Sequence, residues 1–424
     1  MDGLKSLTAS EQKIMPKDPS GSDDSRSLNK LYWFQAISNL GSGIASPFLP
    51  YYAASLNFSS SELGILQGIQ NVFPNVFQLH FGRLSDQLHK RIIFIVLANL
   101  ISSIMFFFMI GETDPVLFIT LVLIQSVMSA MLTPAWNAKM TDVAHQNKRG
   151  LMYSNFALLG NLAMLASGAI FIAYTYLSPI HNYSIYYVPF LFAGILGVAS
   201  SLIIFKEKDS VSVTKSARQT SFKELVRSNK DFKYFLITQA IFNFGMSISW
   251  PLFYITTVRV LSATYYEVGI INIVSLAATV LTVRRFGKIV DRSGTKVPII
   301  LSRLLFLPVP LVYAFANNVF DLYLLNIVSG VGSAISTIAF LAYLMDIAPV
   351  EYRAQYIGFY NMIIGIVTFA GSLIGGFVAQ YFIAVLGIIM GLELVYFMSF
   401  AGRLTGTVMS FKIKTGKEAK ILRT

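Results

Sequence analysis

From Leu31 onward the chain alternates apolar runs of about 20 residues with short polar breaks, and a run of that length is what a helix needs to cross the hydrocarbon of a bilayer. The pattern predicts spans at roughly 31–55, 62–81, 92–111, 115–137, 151–177 and 184–205. After a basic stretch, further spans are expected at roughly 234–258, 266–285, 297–316, 320–343, 355–378 and 383–403. The chain then divides into a polar tail (1–29), a first six-helix bundle (30–205), a connector (206–233), a second six-helix bundle (234–405) and a short tail (406–424). The first tail has no apolar core of a signal peptide and is expected to be disordered.

The two sets of spans are related. Gln35, Asn39, Gly41 and Pro47 recur as Gln239, Asn243, Gly245 and Pro251, each displaced by 204 residues, and Asp142 and Arg149 recur as Asp346 and Arg353. The charged break after the second span, with Gly82, Asp86, Lys90 and Arg91, recurs 205 residues on with Gly287, Asp291, Arg292 and Lys296. Matches in the same order at a near-constant offset indicate two related halves of like orientation, hence a pseudo-symmetric all-α membrane protein with twelve transmembrane helices. In a tight turn between spans, Gly lets backbones approach and Asp can accept hydrogen bonds from a helix N-terminus.

Composition agrees with this pattern. Hydrophobic residues make up 54% of the chain and charged ones 13%, against roughly 25% charged in a soluble domain. The net charge of +12 would suggest nucleic acid in a soluble protein, but the bases fall between the apolar runs, so that partner is excluded. With the N-terminus inside, 31 of the 33 Lys and Arg residues lie on the inner side. Both termini are therefore expected in the cytoplasm of a multi-pass plasma-membrane protein. Cysteine is absent, and no phosphate loop, catalytic triad or metal-ligand pair is present. The expectation is no enzyme, no cofactor and no metal.

Polar side chains at helical spacing mark the faces that avoid lipid, since an amide facing hydrocarbon is costly. Gln35, Asn39, Ser42 and Ser46 form such a stripe on the first span, and Gln239, Asn243, Ser247 and Trp250 on the seventh. Gln67 and Asn71 mark the second span, Asn272 the eighth, Gln125 and Asn137 the fourth, and Asn326 the tenth. The same residue types also serve as hydrogen-bonding glue between helices.

The doubled charged break, the span number and the repeat together resemble the major facilitator superfamily of secondary transporters. The first copy of the signature loop has Gln87 and His89 where that family usually has Arg and Gly, whereas the second keeps Arg292 and Gly294. The resemblance implies alternating access of a central path lined by the first and fourth helices of each half. It also implies a cytoplasmic latch in which Asp86 meets the start of the eleventh helix and a base of the loop meets Asp142, with Asp291 and Asp346 as counterparts. The ninth and twelfth helices are peripheral in that family, so Arg303 and Glu393, the charges well inside those spans, are expected to pair as a structural bridge. Two features associated with proton-driven drug exporters are missing: residues 115–138 hold no Arg and 151–178 no Pro.

The expected function is transport of a small organic solute by a monomer. The first, fourth, seventh and tenth spans carry no charge in their interiors, which favours a neutral or amphipathic solute; coupling to a proton or cation is left open. The alternatives are a multidrug or metabolite exporter, or a non-transporting membrane sensor with the same fold.

Overall fold

A computed structural model describes residues 21–88, 90–143, 149–207, 209, 226–227 and 229–414. The chain folds as α1 (Gly21–Ala45), α2 (Leu49–Ser55), α3 (Ser60–Leu88), α4 (Arg91–Phe108), α5 (Pro115–Val143), α6 (Arg149–Leu177) and α7 (Tyr187–Ile204). It continues as α8 (Lys230–Ile248), α9 (Trp250–Ile255), α10 (Tyr265–Ser293), α11 (Lys296–Phe306), α12 (Val309–Phe315), α13 (Val319–Ile347), α14 (Arg353–Leu386) and α15 (Ile388–Ser410). Among the described residues, nine helical segments are long and apolar enough to cross a membrane. The long helices outside that set are α1, α3 and α8, the ones that carry the most pronounced amide stripes. Large aliphatics stand fully outward, among them Val116, Leu177 and Leu281, a surface suited to lipid and unfit for water.

Prolines set the breaks. Between α1 and α2 the chain tightens into a 3₁₀ turn at Ser46–Phe48, where Pro47 and then Pro50 have no amide hydrogen to continue an α-helix. Between α8 and α9, Pro251 leaves Ser247 O without its helical donor, and Ser372 Oγ from α14 supplies one at 3.3 Å. Ser399 Oγ from α15 donates to Gly245 O at 2.7 Å. The break is thus satisfied from neighbouring helices, as irregular backbone inside a membrane requires.

The charged motifs are helical and not turns. Gly82 and Asp86 lie within α3, and Gly287, Asp291 and Arg292 within α10. The helices extend past the apolar runs because their ends reach water, where charged side chains and a helical backbone coexist at no cost. The second turn narrows to Gly294 and Thr295, with Gly294 at φ +78°, a conformation that favours glycine.

Within the first half, α1 packs on α6 and α7, α3 on α5, and α4 on α5 and α7. In the second half α8 packs on α14 and α15, α10 on α13, α11 on α13, and α12 on α15. The halves meet along α3 with α14 and α6 with α10. Close approach there depends on glycine: a Cβ at Gly64 would fall 2.6 Å from Ser372 O, and one at Gly376 2.5 Å from Ser60 O.

The apolar core is distributed unevenly. At the end away from the chain termini one continuous cluster joins both halves, from Tyr51, Tyr52 and Phe171 to Leu252, Ile255 and Tyr396. At the terminal end the core is two separate clusters, one built on Leu31, Phe34 and Ile95 and the other on Phe235, Ile299 and Tyr343. The halves are therefore sealed by a shared core at one end, and at the other their cores are parted, with contact kept along α3 and α14, where a Cβ on Gly358 would fall 2.6 Å from Leu79 Cδ2.

Candidate functional site

A polar cavity of about 320 Å³ opens within the first half between α1, α4, α5 and α7. Gln35, Asn39, Ser42, Gln125 and Trp136 line it, and none of its lining residues is charged. Proline-broken α1 presents its amide stripe here because the opposite face is taken up by packing. Gln125 is largely committed, donating to Ser102 O at 3.0 Å. Asn99, missed in the sequence, donates to Gly197 O at 2.9 Å and to Ser200 and Ser201 hydroxyls at 2.8 Å, and accepts from Ser38.

The asparagines of the stripes share one geometry. The Nδ2 groups of Asn39, Asn71, Asn243 and Asn326 each donate to the carbonyl four residues earlier, at 2.7, 2.6, 2.8 and 2.8 Å. Asn272 does the same to Val268 O at 2.9 Å. These amides thus bond within their own helix, in contrast to the interhelical glue that the residue type also permits. Each keeps a carbonyl oxygen and one N–H for a further partner. Gln239 is fully enclosed, and neither its Oε1 nor its Nε2 has a partner among the described residues. Trp250 is half-buried beside the α8–α9 break, while Asn137 is exposed and does not line the cavity.

The sealed end is held by residues that periodicity did not single out. Arg259, in the π-helical turn after α9, donates through Nε and Nη2 to Ala54 O at 3.1 Å and through Nη2 to Phe58 O at 2.5 Å. Tyr254 Oη donates to Gln67 Oε1 at 2.8 Å, and its ring meets Tyr51 edge-on at 4.9 Å. The only sequence signal was that Arg259 stands alone among bases on its side.

At the parted end, Arg91 is buried and paired with Asp142, and it also donates to Ala138 O at 3.0 Å. Asp209 accepts from Ile92 N at 2.9 Å, and Lys30 pairs with Glu207 at 3.1 Å. The expected contact of a loop base with Asp142 is therefore present, but it ties α4 to α5 within one half and does not bridge the halves. Lys90 is exposed, and so is Asp346, which forms no ion pair among the described residues. A Cβ on Gly82 would touch Pro134 at 3.3 Å, whereas Gly287 has open space around it. The side chains of Asp86, Asp291 and Arg292 lie outside the described residues.

Arg303 and Glu393 do not pair. The Arg303 guanidinium sits 3.7 Å from the Phe242 ring centre and 4.7 Å from that of Phe340. Glu393 lines a separate crevice with Thr256, Tyr313 and Tyr396. The reason is helix length: α15 runs on to Ser410, so Arg403, counted from sequence as a base at the membrane edge, lies deep inside and takes the place beside Arg303.

The chain matches the Major Facilitator Superfamily over residues 31–319 and again over 235–420. The chain belongs to that superfamily. It is a secondary transporter that moves a solute across a membrane by alternating access, not an enzyme. An uncharacterised transporter of this superfamily, MJ1317 of Methanocaldococcus jannaschii, is 23% identical, covering 91% of this chain and 98% of the relative. The quinolone resistance protein NorA of Staphylococcus aureus is 24% identical, covering 82% and 88%. Among solved structures, the nucleoside transporter NupG superimposes with a TM-score of 0.71 at 15% identity, covering 92% of this chain and all of the other. A bacterial homologue of the human lysosomal transporter Spinster, in its inward-facing unoccupied conformation, gives 0.69 at 12% identity, covering 93% and 98%. At these identities the structural likeness is one of fold.

Proposed function

We propose that this member of the superfamily carries a small organic solute between two six-span lobes, residues 30–205 and 234–405, related by a pseudo-two-fold axis. The recurrence of helix pairs supports this: α1 with α6 corresponds to α8 with α14, and α3 with α5 to α10 with α13. Arg259 binds the carbonyl of Ala54, 205 residues earlier, the displacement of the repeat itself, as residues beside such an axis do. The broken pairs α1–α2 and α8–α9, together with α3, complete twelve crossings. With Arg403 removed from the count as a buried residue, 30 of the 33 bases still fall to one side, which supports cytoplasmic termini. In that orientation the sealed end is extracellular and this state faces inward.

The observation that carries the cargo reading is the uncharged lining of the cavity on Gln35, Asn39, Ser42 and Trp136. Such a wall recognises the hydroxyl, carbonyl or amide groups of a solute. Gln67, Asn71, Asn243 and Asn272 extend the same chemistry toward the second lobe. Asp86, Asp291 and Asp346 form the cytoplasmic latch of the opposite state, meeting partners when the parted ends close. The protein works as a monomer. Reconstituted into liposomes, it should show saturable flux of such solutes, and comparison with and without an imposed pH gradient separates proton coupling from uniport. Absence of flux for every solute, with no ligand raising the melting midpoint, would overturn this reading.

A second reading is export of drugs, favoured by the 24% identity to the quinolone resistance protein. Energised extrusion of a cationic dye from cells would establish it.

A further inference from the structure

The second lobe encloses two guanidinium groups and, among the described residues, no carboxylate that meets either. Arg303 is 2% exposed and Arg403 1%. Arg403 is largely used: its Nη1 donates to Phe306 O at 2.6 Å, and its Nη2 to Ser249 Oγ at 2.9 Å and Met246 O at 3.4 Å. Arg303 is not. Its guanidinium donates no hydrogen bond among the described residues, and Nε and Nη2 are sealed from solvent with no acceptor. Gln239, one helical turn before Phe242 on α8 and fully enclosed, has no partner at either side-chain atom among the described residues.

Arginine cannot shed its proton in a protein, so the lobe interior holds two positive charges without a counter-charge among the described residues. A charge buried without a counter-charge is costly. Phe242 and Phe340 pack their rings against the Arg303 guanidinium, and the hydrogens of Nε and Nη2, which lie in the guanidinium plane, remain unspent among the described residues. A carboxylate binds a guanidinium in that plane through two parallel hydrogen bonds. Tyr360, on α14, is an electrostatic neighbour of Arg303. Both Phe340 and Tyr360 are only half-buried, so this pair is the thin wall over the group.

We propose that Arg303, backed by Arg403 and with Gln239 alongside, is a binding site for the carboxylate of a small monoanion. The site rests on the transport reading only in that the inner-facing path is the anion's route to it. If the cargo itself bears the carboxylate, it is an organic acid whose uncharged part meets the amide wall of the first lobe.

The test uses the purified full chain in detergent and follows its melting midpoint against sodium benzoate, benzamide and sodium chloride at matched ionic strength. Benzoate should raise the midpoint in a saturable way, and benzamide, the uncharged match in shape, should not. Arg303→Gln should weaken the apparent benzoate affinity roughly 30-fold or more. Arg303→Lys keeps the charge without the fork and should restore it only in part. Should both variants fail to fold, the wild-type contrast between benzoate and benzamide still decides. Equal responses to benzoate and benzamide, or none to benzoate, would overturn the site; an equal response to chloride would overturn its preference for carboxylate. Benzoate binding without flux of any solute would count against the transport reading alone, and flux without benzoate binding against this site alone. Competition of flux by benzoate identifies the cargo as the source of the carboxylate.

Discussion

Arg259 holds the carbonyl oxygens of Ala54, in the last turn of α2, and of Phe58, between α2 and α3. A guanidinium at a helix C-terminus is favoured by the negative end of the helix dipole, and here it adds to the bond that Ala54 O accepts from Asn57 N at 3.1 Å. Because the bond joins the two halves, it exists only while this end is closed.

Removing it should therefore shift the balance between states. Hydrogen bonds to a charged group are each worth about 1.5–3 kcal/mol, so Arg259→Ala should favour the opposite state by roughly tenfold or more. The chain has no cysteine, so a single Ser42→Cys reports directly. A membrane-impermeant thiol reagent added outside should label it faster in the Arg259→Ala background than in the parent. Identical labelling rates would refute the gate.

Asp142→Asn should act on stability and not on the state balance. It leaves Arg91 buried without its counter-charge, a loss of about 3–5 kcal/mol. A lowered melting midpoint is expected, with partial recovery in the Arg91→Gln, Asp142→Asn double variant. An unchanged midpoint would count against a buried pair.

The two asparagines near the first-lobe cavity should separate. Asn99 has its amide spent on three oxygens of the α7 segment, so Asn99→Ala should lower the melting midpoint through lost buried hydrogen bonds, about 1–3 kcal/mol. Asn39 bonds its own helix and faces the cavity, so Asn39→Ala should leave the midpoint near that of the parent while raising the KM of flux. The reverse pattern would reassign the cavity.

Gly376→Ala places a methyl against Ser60 O across the seam between halves. Overpacking of this kind costs roughly 1–3 kcal/mol. Flux should fall and the midpoint drop, whereas Gly287→Ala, with open space around it in this state, should leave the midpoint unchanged.

The sequence by itself determined the membrane class, the doubled plan and the identity of the polar faces, because each is written in local signals. Spans follow from run length, and the stripes from helical spacing. It also brought Arg91 and Asp142 into one expectation. Tertiary structure alone decided which charges meet. Arg303 faces Phe242 and Arg403, not Glu393, since helix length and rotation around the bundle depend on packing that no local pattern records. The same holds for Arg259 and Ala54: their contact exists only when two halves 205 residues apart close on each other, and the energy of that closure is a property of the assembled seam.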